Sequence, residues 1–202
     1  MTFVLGLTGS IGMGKSATAA MFRRAGAPVH DADATVHRLY AGAAAPAIEA
    51  SFPGATKGGV VDRAALGPMV IGRPEAMARL EAIVHPLVSA ERAAFLGRAR
   101  ASGAPLAVLD VPLLLETGSE RLCDAVCVVT APEAVQRARV LARPEMTPEK
   151  LAGILARQVP DVEKRARAHF LVDTSRGFPS AERQVRDIVR ALAGRHGRAA
   201  RP

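Results

Sequence analysis

The hydrophobic pattern changes period repeatedly along the chain. Four short apolar runs have strand length and no alternation: Phe3-Val-Leu-Gly-Leu-Thr8, Pro105 to Leu115, Cys123 to Thr130, and Phe170 to Asp173. Unbroken runs of this kind suit parallel strands buried on both faces. A weaker run, Ala27-Pro-Val-His30, is a candidate second strand that delivers Asp31-Ala-Asp33 at its C-terminal end, the edge where open parallel sheets bind ligands. Helical text separates the runs. Ala17 to Arg24 is stopped by Gly26 and Pro28, and a second helix has Pro132 in its first turn and reaches about Ala142. Thr147, Pro148 and Glu149 read as N-cap, first-turn proline and first-turn acid of a helix ending near Gln158. Ser180 to Leu192 is amphipathic.

From Ala47 to Ser102 the text is helical and broken by Phe52-Pro-Gly54, Lys57-Gly-Gly59 and Gly72-Arg-Pro74, with His85-Pro86 dividing Ala76–Val84 from Val88–Arg100. No strand pattern there joins the sheet, so this segment is expected to be a helical insertion. The whole predicts a three-layer α/β/α sandwich on a parallel sheet of about five strands, without internal repeats.

One stretch adds chemistry to this frame. Gly9-Ser-Ile-Gly-Met-Gly-Lys15-Ser16 follows the first apolar run and precedes the first helix, the context a G-x-x-x-x-G-K-[ST] phosphate loop requires. Glycines let backbone N–H groups surround phosphate oxygens, and the helix behind them presents its positive end to the same anion. Ser10, Ile11, Gly12, Met13, Gly14, Lys15, Ser16 and Ala17 are therefore candidate contacts to a nucleotide triphosphate. Lys15 is placed to meet the terminal phosphates, and the Ser16 hydroxyl to ligate Mg²⁺. Asp110 closes an apolar run as a Walker B acid does, which makes it a second Mg²⁺ candidate; the alternative is a carboxylate that caps the strand end. No Asn-Lys-x-Asp guanine-reading motif occurs.

Composition narrows the class. At 202 residues and 49% hydrophobic, the chain can bury one substantial core with a small appended subdomain. No run is long and apolar enough for a membrane span. The start enters a strand at once without a basic region or cleavage site, so a cytoplasmic location is expected. Cys123 and Cys127 are read as buried reduced thiols on one strand, too far apart to bond to each other. The net charge of +8 invites a nucleic-acid reading, and an RNA-binding role for the basic C-terminal tail is the rival from another class. Aromatics at 3% leave little for base stacking, so no nucleic-acid partner is expected.

With these motifs in place the sequence resembles the dephospho-coenzyme A kinase family across nearly its whole length. The resemblance is carried by Gly6 to Ser16, Asp31-Ala-Asp33 with His37 and Leu39-Tyr40, Val61-Asp62-Arg63 with Leu66, and Leu80-Glu81 with His85-Pro86. It continues through Asp110-Val-Pro-Leu-Leu-Leu-Glu116, Gln136 to Arg143, Gln158 and Val172-Asp173. The resemblance implies a P-loop fold and ATP-dependent phosphorylation of the ribose 3′-hydroxyl of dephospho-coenzyme A. It implies Asp33 as base, Lys15 and Arg143 on the transferring phosphoryl, ATP as the triphosphate at Ser10 to Ala17 and Arg139, and Asp33, His37, Arg63, His85 and Glu116 at the acceptor. His37 and His85 are equally readable as packing or corner residues, and Arg63 as a helix-start ion pair with Asp62. The implied division is a nucleotide-binding core of 1–33, 103–136 and 159–194, an acceptor domain of 34–102, a lid of 137–158 and a basic tail of 195–202, in a monomer. Pro144, His169 and Thr174 depart from the family pattern, at the lid hinge and near the adenine end.

Overall fold

The computed structural model describes residues 1–195 and 197; the remainder of the expected tail lies outside the described residues. In chain order its elements begin β1 (Phe3–Thr8), α1 (Lys15–Arg24), β2 (Val29–Asp31), α2 (Ala32–Tyr40) and α3 (Ala45–Ser51). Then come β3 (Thr56–Lys57), β4 (Val60–Val61), α4 (Arg63–Val70), α5 (Pro74–Ala101) and β5 (Leu106–Asp110). After a 3-10 turn at Ser119–Leu122 follow β6 (Ala125–Thr130), α6 (Glu133–Leu141), α7 (Pro148–Leu155), α8 (Asp161–Ala166), β7 (Phe170–Asp173) and α9 (Phe178–Leu192). The chain divides into two compact units, Asp31–Arg98 and the residues on either side of it.

The larger unit is built on a five-stranded sheet of order β2-β5-β1-β6-β7. β1 pairs in parallel with β5 (Leu5 opposite Val108) and with β6 (Leu7 opposite Cys127), and β6 pairs in parallel with β7. Both faces are covered, which is why the strand text lacks alternation. Leu5, Leu7, Val108, Cys127 and Val129 pack on one face with Phe22 of α1 and Ala181, Val185 and Ile188 of α9. Val126 and Val128 point the other way, onto Leu114 and Leu115. Each such aliphatic side chain contributes ~1.5–3 kcal/mol relative to exposure.

The smaller unit has its own core of Leu39, Ile48, Phe52, Val61, Leu66, Leu80 and Val84. The Glu49 carboxylate accepts from the N–H groups of Gly54 (2.7 Å) and Thr56 (2.8 Å) and so fixes the turn after α3. These bonds hold the Glu49 carboxyl below its ordinary range.

Several boundaries differ from the sequence-based expectations. His85-Pro86 does not divide two helices: α5 runs unbroken through it for 28 residues. The proline removes one N–H and crowds the turn before it, but Leu80 and Val84 before it and Leu87 and Val88 after it pack on the same core and hold the helix together. Thr56–Lys57 and Val60–Val61 pair as a small antiparallel hairpin inside the otherwise helical insertion. Cys123 precedes β6 and is not part of it, while Cys127 is buried within it. Pro132 is the N-cap of α6, outside its first turn, and α7 stops at Leu155 with a further short helix, α8, after it.

Candidate active site

The phosphate loop leaves the C-terminal end of β1 and enters α1 at Lys15. Its shape demands glycine at two points for different reasons. A Cβ on Gly9 would lie 2.7 Å from the Val129 carbonyl oxygen; Gly12 has φ 79° and would press a Cβ to 2.5 Å from Val140. The Met13 N–H donates to the Ser10 carbonyl at 3.1 Å, closing the turn. The Met13 side chain is buried and its sulfur accepts the Ala131 N–H, so only its backbone faces the loop's ligand side. Lys15, Ser16 and Ala17 form the first turn of α1, whose N–H groups have no acceptor within the helix and are available to an anion.

Lys15 Nζ lies 2.6 Å from Asp110 Oδ1, with the carboxylate almost fully buried at the end of β5. The Walker B position read from the sequence is thus joined to the loop lysine. Mg²⁺ favours oxygen ligands, takes few from the protein and keeps several waters. The exposed Ser16 hydroxyl and the Asp110 carboxylate fit that chemistry. Among the described residues no cluster of three or more acidic, histidine or cysteine side chains forms a dedicated cage.

Beside the loop lies a cleft of about 270 Å³ bordered by Gly12, Gly14, Ala17, Met21, Arg139, Arg143, Thr174, Gly177 and Phe178. Arg139 is fixed at its edge: Nη1 donates to Thr174 Oγ1 (2.8 Å) and Nη2 to the Thr174 carbonyl (2.9 Å). Thr174 Oγ1 in turn donates to the Met13 carbonyl at 2.8 Å, tying the end of β7 to the loop. The departure at Thr174 therefore has a local account: a small hydroxyl that accepts from Arg139 and donates to the loop. Its neighbour Asp173 has its carboxyl held below the ordinary range by hydrogen bonds from the Ser175 side chain and backbone. Arg137, by contrast, is exposed and does not border the cleft.

The departure at Pro144 forms a tight turn. The Met146 N–H donates to the Arg143 carbonyl at 3.3 Å, and Glu145 has φ 59°. Proline at the second position and a positive φ at the third are the marks of a type II turn. His169 likewise has a partner: its Nδ1 accepts the Val126 N–H at 3.2 Å, and its backbone N–H donates to the Val126 carbonyl.

In the smaller unit a separate cleft of about 490 Å³ is bordered by Asp33, Val36, Tyr40, Arg63, Leu66, Val70 and Leu80. β2 ends at Asp31, so Asp33 is not on the strand edge; it is exposed in the first turn of α2. The cap of that helix is Asp31, whose Oδ1 accepts the Ala34 N–H at 2.9 Å. Arg63 makes no pair with Asp62, which caps α4 through the Ala64 and Ala65 N–H groups; its guanidinium lies 5.2 Å from the Tyr40 ring centre. His37 and His85 are exposed and border neither cleft.

Glu116 is committed within the larger unit. Its Oε1 accepts the Val159 N–H at 2.9 Å and pairs with Lys164 Nζ at 2.8 Å, and Lys164 is fully buried. Burial raises the Glu116 carboxyl, but the Lys164 ammonium and the backbone N–H groups outweigh it and hold the group below its ordinary range. Lys164 and Phe178 were not legible as site residues, because nothing in a helical charge run or a helix start marks which side chain turns inward; Thr174 was marked only as a departure near the adenine end.

A family model described as dephospho-CoA kinase matches residues 3–179. A dephospho-CoA kinase of Rhodopseudomonas palustris is 62% identical over 190 residues, covering 94% of this chain and 96% of that one. One of Mesorhizobium japonicum is 60% identical over 194 residues, covering 96% and 98%. A solved structure from Thermus thermophilus superposes with TM-score 0.83 at 35% identity, covering 94% of this chain and 97% of that one. The chain belongs to the dephospho-CoA kinase family.

Proposed function

We propose that this chain transfers the γ-phosphoryl group of ATP to the ribose 3′-hydroxyl of dephospho-coenzyme A, giving coenzyme A and ADP. The observation that carries the reading is the phosphate loop with Lys15 joined to the buried Asp110, in a chain matched to that kinase family from residue 3 to residue 179.

On this reading the loop N–H groups and the first turn of α1 receive the phosphates, and the adjoining cleft with Arg139 receives the nucleoside end of ATP. Ser16 and Asp110 would hold Mg²⁺, which would supply neutralising charge at the phosphate oxygens. Lys15 moves its ammonium from Asp110 towards the charge that develops on the transferring group, and Arg143 meets it from the segment 137–158, which acts as the lid. The lid excludes water, so the phosphoryl group reaches the acceptor and not solvent. Residues 34–102 receive the acceptor; Asp33 and Arg63, which share one cleft, supply a carboxylate to orient and deprotonate the hydroxyl and a cation for an acceptor phosphate. The reading carries a cytoplasmic monomer acting without nucleic acid or membrane; among the described residues no helix is long and apolar enough to cross a membrane.

The test is a coupled assay of ADP production with and without dephospho-coenzyme A. Acceptor-stimulated ADP release is expected. Salt-dependent RNA affinity without acceptor-stimulated turnover would overturn the kinase reading in favour of a nucleotide-dependent binding protein.

A further inference from the structure

A phosphate loop rich in glycine has little stiffness of its own, because glycine restricts the backbone least. Something outside the loop must hold its peptide planes. At Ile11 the structure supplies two side chains for this. Gln136 Nε2, on α6, donates to the Ile11 carbonyl at 2.7 Å. Gln158 Oε1, between α7 and α8, accepts the Ile11 N–H at 3.2 Å. The N–H and carbonyl of one residue belong to consecutive peptide units, so the two carboxamides fix two planes in succession. A trans peptide is planar, with N–H and C=O opposed. Drawing the Ile11 carbonyl towards Gln136 therefore turns the Gly12 N–H to the opposite side, and Gly12 borders the cleft beside the loop.

The clamps are themselves held. Gln136 is buried, with its helix backbone so near Gly12 that a Cβ there would meet the Gln136 carbonyl at 3.1 Å. Gln158 is followed by Val159, whose N–H is bound by Glu116, and Glu116 is anchored by the buried Lys164. A chain of contacts thus runs from α8 through Glu116 to the loop.

We propose that Gln136 and Gln158 are positioning residues of the nucleotide site: they preorganise the Ile11–Gly12 backbone for the phosphates before ATP arrives. The inference rests on the function proposed above and deepens it. Glu116 acts behind Gln158 in the same chain of contacts, holding the backbone from which that carboxamide reaches the loop.

Gln158→Met keeps length and apolar stem and removes the acceptor, and Gln136→Met does the same for the donor. Each hydrogen bond lost from a preorganised loop is expected to weaken ATP binding, and lower kcat/KM for ATP, about five- to tenfold. KM for the acceptor should stay within about twofold, because preorganisation of the ATP loop does not act on the acceptor. Exchange of the Ile11 amide in the free protein should accelerate about tenfold in Gln158→Met. The double variant should lose much less than the product of the single losses, since both side chains act on one residue. Unchanged ATP affinity in a Gln158→Met protein whose Ile11 amide exchanges faster would overturn the proposal. So would unchanged exchange, or fully multiplicative losses in the double variant. ATP affinity and amide exchange need no acceptor, so a wild-type protein that binds ATP but ignores dephospho-coenzyme A defeats the functional reading and not this one.

Discussion

At Lys15 one ammonium serves two partners, the buried Asp110 carboxylate 2.6 Å away and the phosphates for which the loop is shaped. Lys15→Ala removes the only part of that side chain able to follow developing charge. Turnover should fall by ~10² or more, the usual worth of such a contact; a variant retaining a tenth of wild-type activity would place the phosphoryl group elsewhere. Asp33 makes a sharper case, because the structure separates two roles that the Asp-Ala-Asp text leaves entangled. Asp31 is the helix cap, through the Ala34 N–H, and Asp33 is an exposed first-turn carboxylate on the cleft of the smaller unit. Asp31→Ala should therefore cost ~1 kcal/mol of stability. Asp33→Asn should leave the melting midpoint in place and lower turnover ~10²–10⁴-fold, the range for a lost general base. Wild-type turnover in Asp33→Asn would remove it from the chemistry. Two aspartates one residue apart have the same capping chemistry; the backbone geometry makes Asp31 the cap.

Among the elements, the strands and the loop helix were legible because their signals are local. Apolar runs of strand length, a glycine loop and a proline or glycine stop each act within a few residues. The Arg143–Met146 turn is legible only in part: Pro144 announces a break, but the left-handed Glu145 (φ 59°) is decided by the need to reverse the chain between α6 and α7. A non-glycine residue there is strained by ~1–2 kcal/mol, while glycine returns part of that as chain entropy. Glu145→Gly should therefore stabilise the protein by ~0.5–1 kcal/mol, seen as a higher melting midpoint. An unchanged or lower midpoint would show that the Lys150 Nζ contact to the Glu145 carbonyl or the side chain itself outweighs the strain. At α5 the local signal was overruled. The residue before a proline disfavours helix, yet packing of Leu80, Val84, Leu87 and Val88 from both sides of it on one core outweighs the lost hydrogen bond at Pro86.

For the whole molecule, acid should act through the carboxylates that the fold has bound. Glu116 has a folded-state carboxyl held below its ordinary value of 4.5 by Lys164 and backbone N–H groups, against the opposing effect of burial. A depressed pKa stabilises the fold above the unfolded value and ceases to do so as pH falls through the folded one. The melting midpoint should thus fall as pH drops below about 4.5, and Glu116→Gln should make that fall shallower while lowering stability at neutral pH. An identical pH profile in the variant would remove Glu116 as a contributor. What the sequence determined by itself was whatever depends on neighbours along the chain: the parallel α/β frame, the phosphate loop with Lys15 and Ser16, and the Asp110 strand end. Only the tertiary structure decided that Lys164 is a buried counter-ion to Glu116, that Thr174 ties Arg139 to the loop, and that Gln136 and Gln158 meet at Ile11. Those pairings join residues from 35 to 161 positions apart, and no local pattern encodes a partner that is brought into reach only when the sheet forms.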